Sequence, residues 1–150
     1  MQVVILMGIQ GTGKSTFCRQ RFFDTHVRIN LDMLRTRHPE RTMFQACLAC
    51  DQHVVVDNTN PTAAERARYI EPARTVGANV VGYYFSSRIS EAIGRNLQRG
   101  AEEQVAEKAI LGTAGRLELP SRSEGFDALY YVSCEGAEVF SVEDWKHEVH

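Results

Sequence analysis

Residues 3–15 read Val-Val-Ile-Leu-Met-Gly-Ile-Gln-Gly-Thr-Gly-Lys-Ser, an apolar run that passes without a break into the pattern G-x-x-x-x-G-K-S. A continuous apolar run bounded by glycine reads as a strand buried on both faces. The residues that follow, from Lys14 to about Phe23, read as a helix. A strand, a glycine-rich loop and a helix in this order form the phosphate-binding loop, or P-loop. Gly8, Gly11 and Gly13 let the backbone turn its N–H groups inward around an anion, where β-carbons would obstruct. Lys14 supplies positive charge for the β- and γ-phosphates, and the Ser15 hydroxyl is placed to ligate Mg²⁺. The helix adds the positive end of its dipole at the same point. The stretch therefore predicts binding of a nucleoside triphosphate.

Outward from this loop, short apolar runs alternate with helical patterns, which predicts an α/β domain of three layers. Strands are expected at residues 3–7, 26–31, 53–56, 79–85 and 129–132. Helical segments are expected at 14–23, as a turn at 32–37 interrupted by Pro39, and then at 40–50, 60–76, 90–98 and 105–111. Asn60 with Pro61 reads as one helix start and Ser90 as another cap, while Gly77 and Gly100 read as stops. The expected architecture is a P-loop NTPase-type three-layer sandwich with a five-stranded parallel sheet and a helical lid at about 90–118, all in one domain over residues 1–150. In such a sheet the ligand lies at the carboxyl ends of the strands. That placement gathers the P-loop, Asp32 and Asp57 around one crevice.

The composition is that of an ordinary globular chain, 43% hydrophobic and 24% charged. A formal net charge of −2 gives no overall basic field for nucleic acid, so any such contact must come from a local cleft. Arginine outnumbers lysine by 14 to 3, a bias that suits bidentate phosphate contact and is equally compatible with surface drift. No basic leader precedes the first apolar run, and no apolar stretch reaches the length of a membrane span. The expected setting is the cytoplasm, with Cys18, Cys47, Cys50 and Cys134 free. Cys47 and Cys50 have Cys-x-x-Cys spacing with His53 beyond, but no second ligand pair follows, so a packing role is expected.

Asp32 and Arg35 are spaced i, i+3, which on a helix puts a carboxylate and a guanidinium on one face. The pair suits a base for an acceptor hydroxyl and a clamp for a phosphate on that acceptor; a surface ion pair at a helix start has the same spacing. Asp57 ends a buried strand opposite the P-loop, the place of an acid that holds Mg²⁺ through water, within an Asx-rich turn that also suits a cap. Arg95 and Arg99, spaced i, i+4, read either as lid arginines over bound phosphate or as a solvated basic face.

These pieces together resemble the kinase domain of the polynucleotide 5′-hydroxyl kinases, of the phage type and of the animal kinase–phosphatases. The resemblance rests on GIQGTGKSTF at 8–17, NLDMLR at 30–35, DNTNP at 57–61, RARY at 66–69, RNLQRG at 95–100 and PSRSEGF at 120–126, in the family's order. It implies that Gly8, Gln10, Gly11, Thr12, Gly13, Lys14, Ser15 and Thr16, with Arg95 and Arg99, bind ATP, and that Ser15 and Asp57 serve Mg²⁺. It implies catalytic roles for Asp32 as general base, Lys14, and Arg99 at the transferring phosphoryl. Asp32, Arg35, Asp57 and Asn60 would meet the acceptor, a 5′-hydroxyl end of DNA or RNA. Val105-Ala106 stands where relatives often carry Val-Pro, and no phosphatase domain accompanies the kinase pattern. Two other functions fit parts of the pattern: a kinase for a small hydroxyl acceptor such as a metabolite, nucleoside or nucleotide sugar, and a non-catalytic nucleotide-binding module. A GTPase is disfavoured because the sequence has no Asn-Lys-x-Asp motif. No membrane association and no protein partner are implied.

Overall fold

A computed structural model of the chain describes residues 1–146. In chain order the elements are β1 (Gln2–Met7), α1 (Lys14–Phe22), β2 (Val27–Ile29), α2 (Leu31–Leu34), α3 (Arg37–Ala49), β3 (Val54–Asp57), α4 (Ala63–Thr75) and β4 (Asn79–Phe85). They are followed by α5 (Ile89–Gln98), α6 (Glu107–Arg116), a 3₁₀ turn (Arg122–Glu124), β5 (Ala128–Cys134) and β6 (Phe140–Asp144). The strands form one sheet in the order β2-β3-β1-β4-β5-β6. β1 to β5 run parallel, and β6 pairs antiparallel with β5.

Alternate residues of β1 enter opposite layers, as the period of a strand requires. Val3, Ile5 and Met7 pack with Phe44 and Cys47 of α3 and with Tyr69, Ile70 and Ala73 of α4. Val4 and Leu6 pack with Phe17, Cys18 and Phe22 of α1. Every residue of β3 is buried, because both sheet faces are covered at the centre. Ile9, Ala92 and Ile110 form a smaller cluster that fastens α5 and α6 beside the P-loop. Among the described residues no helix is long and apolar enough to cross a membrane.

The expected five-stranded parallel sheet is corrected to a mixed sheet of six strands. The sequence of β6, Phe-Ser-Val-Glu-Asp, is short and half polar because it is an edge strand; only Phe140 and Val142 meet the α1 layer. Helix α4 is capped by the Thr62 side chain, which accepts from the Glu65 N–H, rather than begun by Asn60 and Pro61. Pro39 does not interrupt a helix: it stands in the first turn of α3, where its missing N–H costs no bond. Arg88, not Ser90, is the N-cap of α5, and α6 starts later and extends to Arg116. Cys47 lies in the core and Cys50 is exposed; all four cysteines are unbridged.

Candidate active site

Lys14, 8% exposed, folds back over the loop that carries it. Its Nζ donates to the carbonyls of Gly8 (2.8 Å) and Ile9 (2.6 Å), with Thr12 Oγ1 at 3.4 Å. Burial pushes its pKa down to about 8; Asp57 acts against this shift and Arg99 adds to it. The Thr12 hydroxyl donates to the Ile9 carbonyl, and the Gly8 N–H reaches the Thr59 carbonyl at 2.9 Å, which ties the P-loop to the turn after β3. Gly11 has φ 79°, and a β-carbon there would lie 2.5 Å from the Ala92 carbonyl oxygen. Glycine is therefore needed at this position for the close approach of α5.

Asp57, 2% exposed, ends β3 opposite Ser15. Its Oδ2 accepts from Ser15 Oγ (2.9 Å) and from Arg28 Nε and Nη2 (each 2.9 Å). Arg28 projects from β2 and also reaches to 3.5 Å from Ser15 Oγ. The Ser15 hydroxyl and the Asp57 carboxylate are a hard-oxygen pair beside the phosphate loop, which suits Mg²⁺. With Oδ2 occupied by protein donors, Asp57 suits support through the serine hydroxyl and water better than direct ligation.

The Asp57-Asn58-Thr59-Asn60 turn is built from side-chain bonds to the backbone. Asn30 Nδ2 donates to the Asp57 carbonyl (2.6 Å), while Asn30 Oδ1 caps α2 by accepting the Met33 N–H. Asn58 Oδ1 accepts the Leu31 N–H, and Asn58 Nδ2 donates to Glu40 Oε2 at 2.9 Å. Asn60, at φ 43°, donates from Nδ2 to the Leu6 carbonyl at the end of β1. These bonds fix α2, and with it Asp32, against the strand ends.

A cavity of about 360 Å³ opens at this edge of the sheet. Of the residues expected in the site, it brings together Gln10, Gly11, Lys14, Ser15, Asp32, Asp57, Asn60 and Arg99. Gly8, Thr12, Gly13 and Thr16 stay in the loop and the start of α1 behind the cavity wall. Arg95 donates to the Gly11 carbonyl across 3.4 Å, from the helix that leads to Arg99. Arg35, expected beside Asp32, is not among the residues that line the cavity. Helix α2 is a single turn that ends at Leu34, and Arg35 follows it at φ 76°, exposed and outside the cavity wall. The i, i+3 face does not form because the helix stops one residue short of the arginine.

Arg37, two positions on, lines the cavity instead. Its Nη1 donates to Glu40 Oε1 (2.9 Å) and to the Tyr69 hydroxyl (3.2 Å), and the Tyr69 hydroxyl donates to Glu40 Oε1 (2.8 Å). Burial works against the Arg37 charge, but the hydrogen bond and charge of Glu40 outweigh it and lift the guanidinium above its usual value. Tyr69 is pushed up to about 12, first by burial and then by its bond to Glu40. The carboxylates of the cavity divide sharply. Asp57 is tied by Arg28 and Glu65 by Arg116, whereas Asp32 has no hydrogen-bond or ion-pair partner among the described residues.

Helices α5 and α6 close the cavity on its far side. Asn96 clamps the connection between them: Nδ2 donates to the Val105 carbonyl and Oδ1 accepts the Val105 N–H. Gln10 reaches α6 by donating to Thr113 Oγ1. Sequence reasoning assigned no role to Arg28, Arg37, Asn58 or Glu40. Their partners come from distant elements, and only the Arg-x-x-Glu spacing of Arg37 and Glu40 carried a local signal. RARY and PSRSEGF were visible only as parts of a resemblance; they prove to be joined by a buried pair, Arg66 Nε to Glu124 Oε1 at 2.8 Å.

The family described as AAA domain matches residues 40–120, more than half of the chain. A bifunctional polynucleotide phosphatase/kinase of Schizosaccharomyces pombe is 28% identical over 129 residues, covering 83% of this chain and 32% of that protein. The chain thus spans about a third of the length of that curated relative. Among solved structures, Kti12 of Chaetomium thermophilum in complex with ADP-AlF3 superposes with a TM-score of 0.69 at 15% identity, covering 89% of each chain. A sugar kinase from Janibacter sp. superposes with a TM-score of 0.63 at 17% identity, covering 87% of this chain and 85% of that one. At these identities the superpositions establish a shared P-loop kinase fold and nothing finer. With a P-loop at the end of β1, a cavity at the carboxyl ends of the strands and the match across α3 to α6, the chain belongs to the AAA domain family of P-loop NTPases.

Proposed function

We propose that this protein is an ATP- and Mg²⁺-dependent kinase that transfers the γ-phosphoryl group to a 5′-hydroxyl end of DNA or RNA. The observation that carries the reading is the free carboxylate of Asp32 in the same cavity as Lys14, Ser15 and Arg99. A kinase site needs a base that is not already neutralised, facing the phosphate-binding loop. Lys14 and the loop N–H groups hold the β- and γ-phosphates. Arg99 offsets charge on the transferring group, with Arg95 holding α5 against the loop. Asp32 accepts the proton of the attacking hydroxyl. Ser15 would hold Mg²⁺ with Asp57 behind it, and the ion supplies further charge neutralisation when bound. The polynucleotide acceptor is supported by the relative from S. pombe, a bifunctional polynucleotide phosphatase/kinase.

The test is transfer of label from γ-labelled ATP to a single-stranded oligonucleotide with a free 5′-hydroxyl. Asp32→Ala is expected to lower kcat by roughly 10²–10⁴ with little change in ATP binding. Near-normal turnover removes Asp32 from the role of base. The net charge of −2 favours a second reading, a small hydroxyl acceptor. Acceptor affinity that falls steeply with salt supports the polynucleotide, and a shallow dependence supports the small molecule.

A further inference from the structure

We infer that Arg28 is a built-in counter-cation for Asp57, held from outside the nucleotide cavity, so that the site takes up a divalent cation together with a nucleotide and not alone. The inference rests on the assignment of Mg²⁺ to Ser15 and Asp57 proposed above.

The register of the sheet brings the two groups together. Arg28 of β2 lies beside Val55 of β3, two residues before Asp57. Val55 and Asp57 share one sheet face by the period of a strand, and that face is the α1 side, where Val55 packs with Phe17, Cys18 and Phe22. A long side chain from Arg28 therefore runs along this face to the strand end. Its Nε and Nη2 both close on Asp57 Oδ2 at 2.9 Å, the oxygen that also accepts the Ser15 hydroxyl. Oδ1 accepts no hydrogen bond among the described residues. Charge, rather than a lack of open oxygens, is then what sets this carboxylate apart from a metal.

Arg28 does not line the nucleotide cavity. It stands in the wall of a second cavity of about 360 Å³ on the α1 side, with Cys18, Phe22 and Val55; Ser15 borders both. Arg28 thus meets the nucleotide site only through Asp57 and Ser15, which makes it a positioning residue. Lys14 adds a second positive charge that interacts with Asp57. Among the described residues no group of three or more His, Cys, Asp or Glu could hold a metal. A divalent cation by itself meets one hydroxyl and one carboxylate that is already matched, whereas a triphosphate brings the anionic oxygens that a hard cation needs. Without the Arg28 charge, Asp57 is a buried carboxylate short of a partner, and a divalent cation can become that partner.

The experiment measures metal binding to the nucleotide-free protein: Mn²⁺ by electron paramagnetic resonance, and Tm with and without MgCl₂. Arg28→Gln is expected to bind Mn²⁺ about tenfold or more tightly than the wild type. Its Tm should rise with MgCl₂ where that of the wild type does not. Arg28→Met, which keeps an unbranched stem, is expected to show the same gain and preserves the test if Arg28→Gln folds poorly. Arg28→Lys keeps the charge and should stay within about threefold of the wild type. Arg28→Gln/Asp57→Asn should lose the gain. Damage to packing weakens a site, so tighter metal binding separates this role from a merely structural one. Equal Mn²⁺ affinity in the wild type, Arg28→Gln and Arg28→Met overturns the inference. So does an Arg28→Lys variant that binds as tightly as Arg28→Gln, or a gain that survives Asp57→Asn and so places the ion elsewhere, as at Asp32. None of these measurements uses ATP or an acceptor. If the gain is absent while Mg²⁺-dependent transfer of label to the oligonucleotide holds, the counter-cation falls and the kinase reading stands. A gain without transfer to any acceptor upholds the counter-cation and refutes the proposed reaction.

Discussion

At the scale of single residues, Lys14 is expected to make nucleotide binding pH-dependent. Burial holds its pKa at about 8, below the ordinary 10.5. Between these values the unfolded chain retains a proton that the folded chain has released, so this group adds stability as pH rises from about 8 to 10.5. A bound triphosphate favours the charged amine and raises its pKa. Binding of ATP above about pH 8 is then expected to take up a proton, and affinity to fall as pH rises further. Calorimetry in buffers of different ionisation heat measures the uptake, and Lys14→Ala should abolish it; uptake that persists in the variant assigns the proton elsewhere. Gly11→Ala is a steric counterpart, since its β-carbon meets the Ala92 carbonyl on a backbone already at φ 79°. It is expected to cost about 1–3 kcal/mol of stability and to raise ATP KM, read by urea unfolding and initial rates.

At the scale of elements, the sequence revealed most where chemistry is local. The P-loop is legible because its glycines, lysine and serine are consecutive and each has one physical reason. The buried strands β1, β3 and β4 are legible because both faces are apolar. The i, i+3 spacing of Asp32 and Arg35 alone cannot say that α2 ends at Leu34. The place of Arg37 in the cavity wall is not legible because the Arg37–Glu40 pair is completed by Tyr69 on α4, remote in sequence. Strand β6 was missed because an edge strand need bury only Phe140 and Val142. The α5–α6 arm shows how one side chain can set an element. Asn96, 4% exposed, bonds both backbone groups of Val105 and so closes the connection that contains Arg99. Asn96→Ala leaves that N–H and C=O unpaired, at about 1–3 kcal/mol each. Amide exchange at residues 99–106 is expected to quicken by tenfold or more while β1 keeps its protection. Turnover should fall with it; unchanged exchange would show that another contact holds the arm.

At the scale of the whole molecule, the site rests on a charge buried far from it in sequence. Arg66 is 0% exposed and makes four bonds: Nε and Nη2 to Glu124, and Nη1 to the carbonyls of Asn60 and Glu118. Glu124 in turn accepts the Ser121 N–H of its own capping box. One guanidinium thereby joins α4, the turn that closes the cavity, the chain leaving α6 and the 3₁₀ turn before β5. Arg66→Met should be severe, because it leaves the Glu124 carboxylate without its cation as well as two carbonyls without a donor. A loss of about 3–5 kcal/mol is expected, or roughly 6–20 °C in Tm for a chain of this size. Glu124→Leu alone should be comparably costly, since it strands a buried cation. The double variant Arg66→Met/Glu124→Leu removes both charges and is expected to recover part of the loss, as buried ion pairs replaced by apolar side chains often do. Full recovery is not expected, because the Asn60 and Glu118 carbonyls remain unpaired. Urea unfolding of the four proteins gives the coupling energy of the pair. If the double variant is as unstable as the sum of the singles, the charges do not act as a pair and the two carbonyl bonds carry the stability. Because the Asn60 side chain holds the end of β1, the same variants should raise ATP KM even where they remain folded.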